Sequence, residues 1–266
     1  MNMIVCIKQV MDPETPPASF KIDPQANKVI PPPGIAPVLD PYSEYALEAA
    51  LRLKAENDGK ITAISLGNDL LRDVVKKSLA MGADELILLE DEAFAGGDSC
   101  STAIALAAAI KKIGEYDIVF CGRQAADWGA SQVGSGIAEL LGLPCLTLTQ
   151  KVEVTDGKAK VEVVTDDGYE VVETTLPAVI TVSNELGEVR YPNIKGILKA
   201  KKKDPVIWKP ADIGLEASEV GAAGRCTKLV KLFQPVREGE AEIISGDTPE
   251  EAAVNLALKL REIKLI

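Results

Sequence analysis

The chain has 266 residues, of which 47% are hydrophobic and only 4% aromatic, and a formal net charge of −11. That length buries a substantial core as one large domain or a domain with an appendage, while the acidity opposes the phosphate neutralisation on which nucleic-acid binding depends, so neither nucleic acid nor an acidic membrane is an expected partner. Histidine is absent altogether, which removes Ser-His-Asp and Cys-His nucleophilic schemes and imidazole metal sites together.

MIVCI at 3–7 reads as a first buried strand. Asp40 followed by Pro41 predicts the N-cap and first turn of a helix through YSEYALEAALRLKAE. ITAISL at 61–66 is a second strand, after which Asn68 is placed to cap a helix over LLRDVVKKSLAMG that Gly82 ends. ELILL at 85–89 is a third, and Asp98 or Ser99 opens the helix STAIALAAAIKKIG. YDIVF at 116–120 is a fourth, followed by CGRQAADWGASQVGSG and by a helix that Gly142 and Pro144 terminate. CLTLT at 145–149 is a fifth. Strands alternating with helices imply right-handed crossovers and a parallel sheet, hence an α/β fold.

From there the pattern changes. QKVEVT, KAKVEVV and YEVVETT alternate with period two and are joined by TDGK and DDG, the signature of antiparallel hairpins. LPAVITVS at 176–183 is expected to return to the main sheet. After about residue 195 the core-forming pattern fades, which divides the chain into an α/β domain over 1–195 and a C-terminal arm over 196–266, expected to pack on another subunit. Within the arm Thr248, Pro249 and Glu251 announce a terminal helix over TPEEAAVNLALKLREI.

The five cysteines (Cys6, Cys100, Cys121, Cys145, Cys226) are odd in number and show no CxxC or zinc spacing. The chain therefore reads as reduced and cytoplasmic, with no secretory or membrane-spanning segment expected.

Open α/β sheets bind ligands at the carboxyl ends of their strands, where helix N-termini offer backbone N–H groups to phosphate. That geometry selects Cys6 to Gln9, Asp40 to Ser43, Ser65 to Asn68, and Gly122 to Val133. Every α/β protein has such loops and most are empty, but the last combines small Gly122, Ala125, Ala126, Gly129 and Ala130 with hydrogen-bonding Arg123, Gln124, Asp127, Ser131 and Gln132. It is neither a GxxxxGK[ST] phosphate loop nor a GxGxxG fingerprint, so an ATP-dependent ligase or hydrolase lacks its motif. Trp128 is suited equally to stacking on a ring and to anchoring an interface.

Several ordered stretches, VCIKQV at 5–10, DPYSEYALEAALRLK at 40–54, LAMGAD at 79–84, CGRQAADWGASQVGSGIAELLGLP at 121–144, LPAVITV at 176–182 and RYPNIKGILKAKKK at 190–203, together resemble the beta subunit of electron transfer flavoprotein. The resemblance implies a nucleotide-hydrolase-like, Rossmann-like α/β fold that does not hydrolyse its nucleotide, and a heterodimer with an alpha subunit that holds most of a shared FAD. It implies AMP, or in the electron-bifurcating branch a second FAD, in a pocket made by Cys6, Asp40, Pro41, Tyr42, Ser43, Leu66, Gly122, Arg123, Gln124, Ala125, Ala126, Asp127, Trp128, Gly129, Ala130, Ser131, Gln132 and Val133. It further implies a docking segment for an acyl-CoA dehydrogenase-type flavoenzyme, with Ile194 as the protruding aliphatic residue, Arg190 and Tyr191 before it, and Lys195 and Lys199 on its rim. Val164 stands where the family often carries an acidic residue. The alternative is a stand-alone adenine-nucleotide-binding sensor of the same fold, expected as a monomer or homodimer with a well-packed C-terminus.

Overall fold

A strand apolar at nearly every position needs cover on both faces, and β1 (Asn2–Ile7) receives it: Met3, Val5 and Ile7 enter one core, Ile4 and Cys6 a second. On this strand the computed structural model, which describes residues 1–235 and 241–266, builds a nine-stranded sheet. Between β1 and the first helix, β2 (Gln9–Val10), β3 (Lys21–Asp23), β4 (Lys28–Ile30) and β5 (Val38–Leu39) form two small ladders outside it. The remaining sheet strands are β6 (Lys60–Gly67), β7 (Glu85–Glu90), β8 (Ile118–Gly122), β9 (Cys145–Thr155), β10 (Lys158–Thr165), β11 (Gly168–Thr175), β12 (Ala178–Val182) and β13 (Val206–Trp208). Their spatial order is β11-β10-β9-β12-β8-β1-β6-β7-β13, parallel from β9 to β13 and antiparallel through the β9-β10-β11 extension. The expected α/β class, hairpins and returning strand 178–182 are all present.

Helix α1 (Pro41–Asn57), with the short α2 (Arg72–Val75) and α3 (Lys77–Met81), covers one face, and α4 (Ser99–Ile113) with α5 (Val133–Leu141) covers the other. Leu47, Ala50 and Leu53 of α1 meet Phe120 and Ile118, while Ala105, Ala109 and Ile110 of α4 meet Val119 and Ile64. Each fully buried large side chain such as Phe120 contributes roughly 1.5–3 kcal/mol.

The local start and stop signals mostly hold. Asp40 caps α1 by accepting from Ser43 N at 2.8 Å, and Asp98 caps α4 by accepting from Ser101 N at 3.0 Å. Gly82 and Gly142 end their helices at positive φ, 136° and 67°. Asn68 does not cap. Its helix begins later, where the Gln9 side chain accepts from Leu71 N at 2.8 Å and so satisfies the helix start from another segment, and is divided at Lys76 into α2 and α3.

CLTLT and QKVEVT are one strand rather than two: β9 carries Leu148 at φ 54° and a register shift where it leaves β12 and continues into the hairpins. The body also extends past 195. Helix α6 (Ile194–Lys201) packs on α3, β13 adds a strand beside β7, and Ile213 and Val220 are buried in the second core. These pieces are too short for sequence periodicity to reveal. Beyond residue 227 the chain touches the body at Asn27, which donates to Leu229 O at 3.4 Å and accepts from Leu232 N at 2.6 Å. The terminal helix α7 (Pro249–Glu262) is present as expected, capped by Thr248, with no buried residue. Among the described residues no helix is long and apolar enough to cross a membrane.

Candidate functional site

The chain steps from β1 outward to β6 and β7, then returns to the other side of β1 for β8. Between β1 and β8 lies a topological switch point, and the crevice at its carboxyl end is where open α/β sheets bind ligands. The loops after both strands and the start of α1 converge there. Lys8 N donates to Ser43 Oγ at 3.1 Å and Asp40 N to Lys8 O at 2.9 Å, so α1 begins against the end of β1.

Asp40 fastens the site together. Its Oδ2 accepts from Ser43 N and Ser43 Oγ at 2.8 and 3.0 Å, and its Oδ1 accepts from Ala126 N at 2.8 Å. Burial, with 1% of the residue exposed, pushes the carboxyl up, opposed by the Ala126 and Ser43 hydrogen bonds. Gly122 explains part of the small-residue run: a Cβ there would lie 2.7 Å from Tyr42 Cβ and 2.8 Å from its carbonyl carbon, so only glycine lets Pro41 and Tyr42 approach β8.

Beyond Gly122 the loop folds over Tyr42. The Arg123 guanidinium lies 5.6 Å from the ring centroid and donates to Ser183 Oγ at 3.2 Å, and Gln124 Nε2 donates to the Tyr42 hydroxyl at 3.2 Å. Gly129 N donates to Ala125 O at 2.8 Å, and Ser131 Oγ to Gln124 Oε1 at 3.3 Å. Both Gly129 and Ser131 have positive φ, 59° and 56°. Helix α5 then starts at Val133 with no side-chain cap from Gln132, although α1 and α4 are each capped by an aspartate. The N–H groups of its first turn thus have no N-cap side chain to accept from them, and a helix start of this kind favours negative charge. Gly134 brings this turn against β12, where a Cβ would lie 2.5 Å from Thr181 Cγ2.

The other expected residues line the same end of the sheet. Cys6 is buried beside Cys121, whose thiol is pushed up by its contact with Cys6 and by burial. Leu66 is half-buried at the end of β6, and Trp128, Ala130 and Gln132 face solvent. Lys8, inside the Cys6 to Gln9 stretch selected from sequence but given no role of its own there, pairs its Nζ with Asp127 Oδ1 at 2.7 Å across the loop.

The segment expected from sequence to dock a partner, Arg190 to Lys199, has its own anchor. Arg190 donates to Glu48 at 2.7 and 3.1 Å, and Arg52 donates to the same carboxylate at 2.9 Å and to Leu186 O and Glu188 O at 3.0 and 2.7 Å. Burial pushes Glu48 up, but the hydrogen bonds from Arg190 and Arg52 outweigh it and hold the carboxyl below its usual range. Arg190 therefore holds the root of the segment. Tyr191 and Ile194 stand out from it, 90% and 78% exposed, with Lys195 and Lys199 also exposed. Asn193 caps α6 by accepting from Gly196 N at 2.8 Å, and Gly196 leaves space for Ala80 O that any Cβ would overlap. Glu48 itself gave one sequence clue, a lone charge inside the apolar stretch YALEAAL.

Sheet order and crevice define a Rossmann-like α/β subunit. The family model described as "Electron transfer flavoprotein domain" matches residues 34–213. The electron transfer flavoprotein subunit beta of Thermoanaerobacterium thermosaccharolyticum is 42% identical over 267 residues, all of both chains. The caffeyl-CoA reductase-Etf complex subunit CarD of Acetobacterium woodii is 39% identical over the same span, and protein FixA of Azorhizobium caulinodans is 38% identical over 90% of this chain and 86% of its own. The chain belongs to the electron transfer flavoprotein family, among its beta subunits.

Proposed function

We propose that this chain is the beta subunit of a heterodimeric electron transfer flavoprotein, binding an adenine nucleotide, AMP or the ADP portion of a second FAD, at the β1/β8 crevice. The observation that carries the nucleotide reading is the uncapped start of α5, preceded by small residues and two positive-φ positions in a loop that Asp40 and Tyr42 hold against the start of α1. Val133, Gly134 and Ser135 would offer backbone N–H groups to phosphate, Ser131 a hydroxyl, and Gly122 to Ala126 a surface close to the adenosine. Asp40 would hold the cradle's shape without touching the reacting atoms. The flavin shared with the alpha subunit carries the electrons; with no histidine, this chain's residues bind and orient rather than react.

The exposed Tyr191 and Ile194, held by the Glu48–Arg190 anchor, are the proposed contact for a flavoenzyme of the acyl-CoA dehydrogenase type, with Lys195 and Lys199 steering the encounter. A relative named as a subunit of a caffeyl-CoA reductase-Etf complex supports a partner acting on a CoA thioester. The unburied α7 and its exposed Val254, Leu256 and Leu258 support packing of the C-terminal arm on the alpha subunit. Co-expression with an alpha chain tests the assignment: a one-to-one complex with flavin absorbance is expected, and a flavin-free or unassociated beta chain would overturn it.

A further inference from the structure

Cys100 and Cys226 lie 126 positions apart in the chain, yet their sulfurs are 2.8 Å from each other. The approach is built by neighbouring groups. Asp98 caps α4 through Oδ1, and its Oδ2 accepts from Cys226 N, Thr227 N and Thr227 Oγ1, each at 2.8 Å. Just before, Gly221 adopts φ 55° under Ala93 and Ala95, where a Cβ would overlap backbone, and Ala222 N donates to Ala95 O at 2.8 Å. The segment is thus pinned on both sides of Cys226 over the first turn of α4, and the remaining gap to a disulfide bond of about 2.05 Å is under roughly 1 Å. Cys226 is exposed and Cys100 partly so, within reach of a small oxidant, whereas Cys6 and Cys121 are buried.

We propose that Cys100 and Cys226 are a reversible dithiol–disulfide site that takes a peroxide as its two-electron oxidant and locks the root of the C-terminal arm onto the body. The exposed Cys226 thiolate attacks a peroxide oxygen, the O–O bond breaks, and with one proton taken up this gives Cys226 sulfenic acid and water. The Cys100 sulfur then attacks the Cys226 sulfur, the S–O bond breaks, and the hydroxyl leaves with the Cys100 proton as a second water. Two thiols and one hydrogen peroxide become one disulfide and two waters. The closed loop takes in residues 100–226, so oxidation restricts the unfolded chain and fixes the point from which the arm departs. A dithiol reductant reverses it.

The test uses the full chain, reduced and then exposed to stoichiometric hydrogen peroxide, and needs neither flavin nor partner, so its failure is separable from that of the nucleotide reading. Expected are loss of two hydrogens in the intact mass, a non-reduced peptide linking Cys100 to Cys226, two thiols fewer by alkylation, recovery with dithiothreitol, and a rise in melting temperature absent from Cys226→Ser and Cys100→Ser. Oxygen added to Cys226 with Cys100 still alkylatable, a link between other cysteines, or an unchanged mass would overturn the proposal.

Discussion

Asp40 serves two ends of one site with one carboxylate, capping α1 and holding the Ala126 N–H of the loop opposite. Asp40→Ala is expected to cost about 1–3 kcal/mol, the cap plus an orphaned buried donor, read by chemical denaturation. Asp98 makes a similar double contact. Burial opposes its ionisation, but the donors at Ser101, Thr227 and Cys226 lower its pKa from 3.8 to about 2. A lowered carboxylate stabilises the fold above its unfolded value and loses that contribution as pH falls through the folded one. Stability should therefore decline between pH 3.8 and about 2, and Asp98→Asn should flatten that part of a stability-against-pH curve; an unchanged slope would remove Asp98 as the cause. Both aspartates were legible as caps because capping is a code of neighbouring residues. Their second partners, like Glu48–Arg190 at 142 positions apart and Lys8–Asp127 at 119, were not, since nothing local records a contact across such separations.

Helix α1 links the two proposed surfaces: its first turn borders the crevice, and further along it holds Glu48 against Arg190. Glu48→Gln leaves two guanidinium groups without their shared charge. Because both are about 40% exposed, 43% and 42%, water screens them and the loss should be about 1–2 kcal/mol rather than that of a fully buried pair. Its sharper effect should be on the segment it roots: slower electron transfer with the dehydrogenase, nucleotide content kept. Ile194→Ala should slow transfer likewise without any loss of stability, as Ile194 buries little in this chain; unaltered transfer kinetics by stopped flow would refute the docking role. Sequence periodicity found every long parallel strand, since continuous apolar runs leave no other reading. It missed the three-residue β13 and the division of α2 from α3, where neighbours rather than pattern decide.

The order β8-β1-β6-β7 puts the reversal of chain direction between β1 and β8, and every strand-end loop chosen from sequence, except the one after β6, borders that crevice closely. The parallel α/β class was thus legible from alternation, whereas the strand order, and the reach of the body beyond residue 195 through Ile213 and Val220 burying into a core built much earlier in the chain, were not. The C-terminal arm leaves that body near the Cys100–Cys226 contact and carries its apolar side chains outward, the surface that the proposed alpha subunit would cover. The most direct measurement is a count of nucleotides released by acid from the purified complex with its alpha chain, for the wild type and for Asp40→Ala. The wild type should release one adenine nucleotide, AMP or FAD, in addition to the flavin shared with the alpha chain, and the variant should lose that one selectively. Release of a single flavin and no further adenine nucleotide from the wild type would contradict the crevice as a nucleotide site.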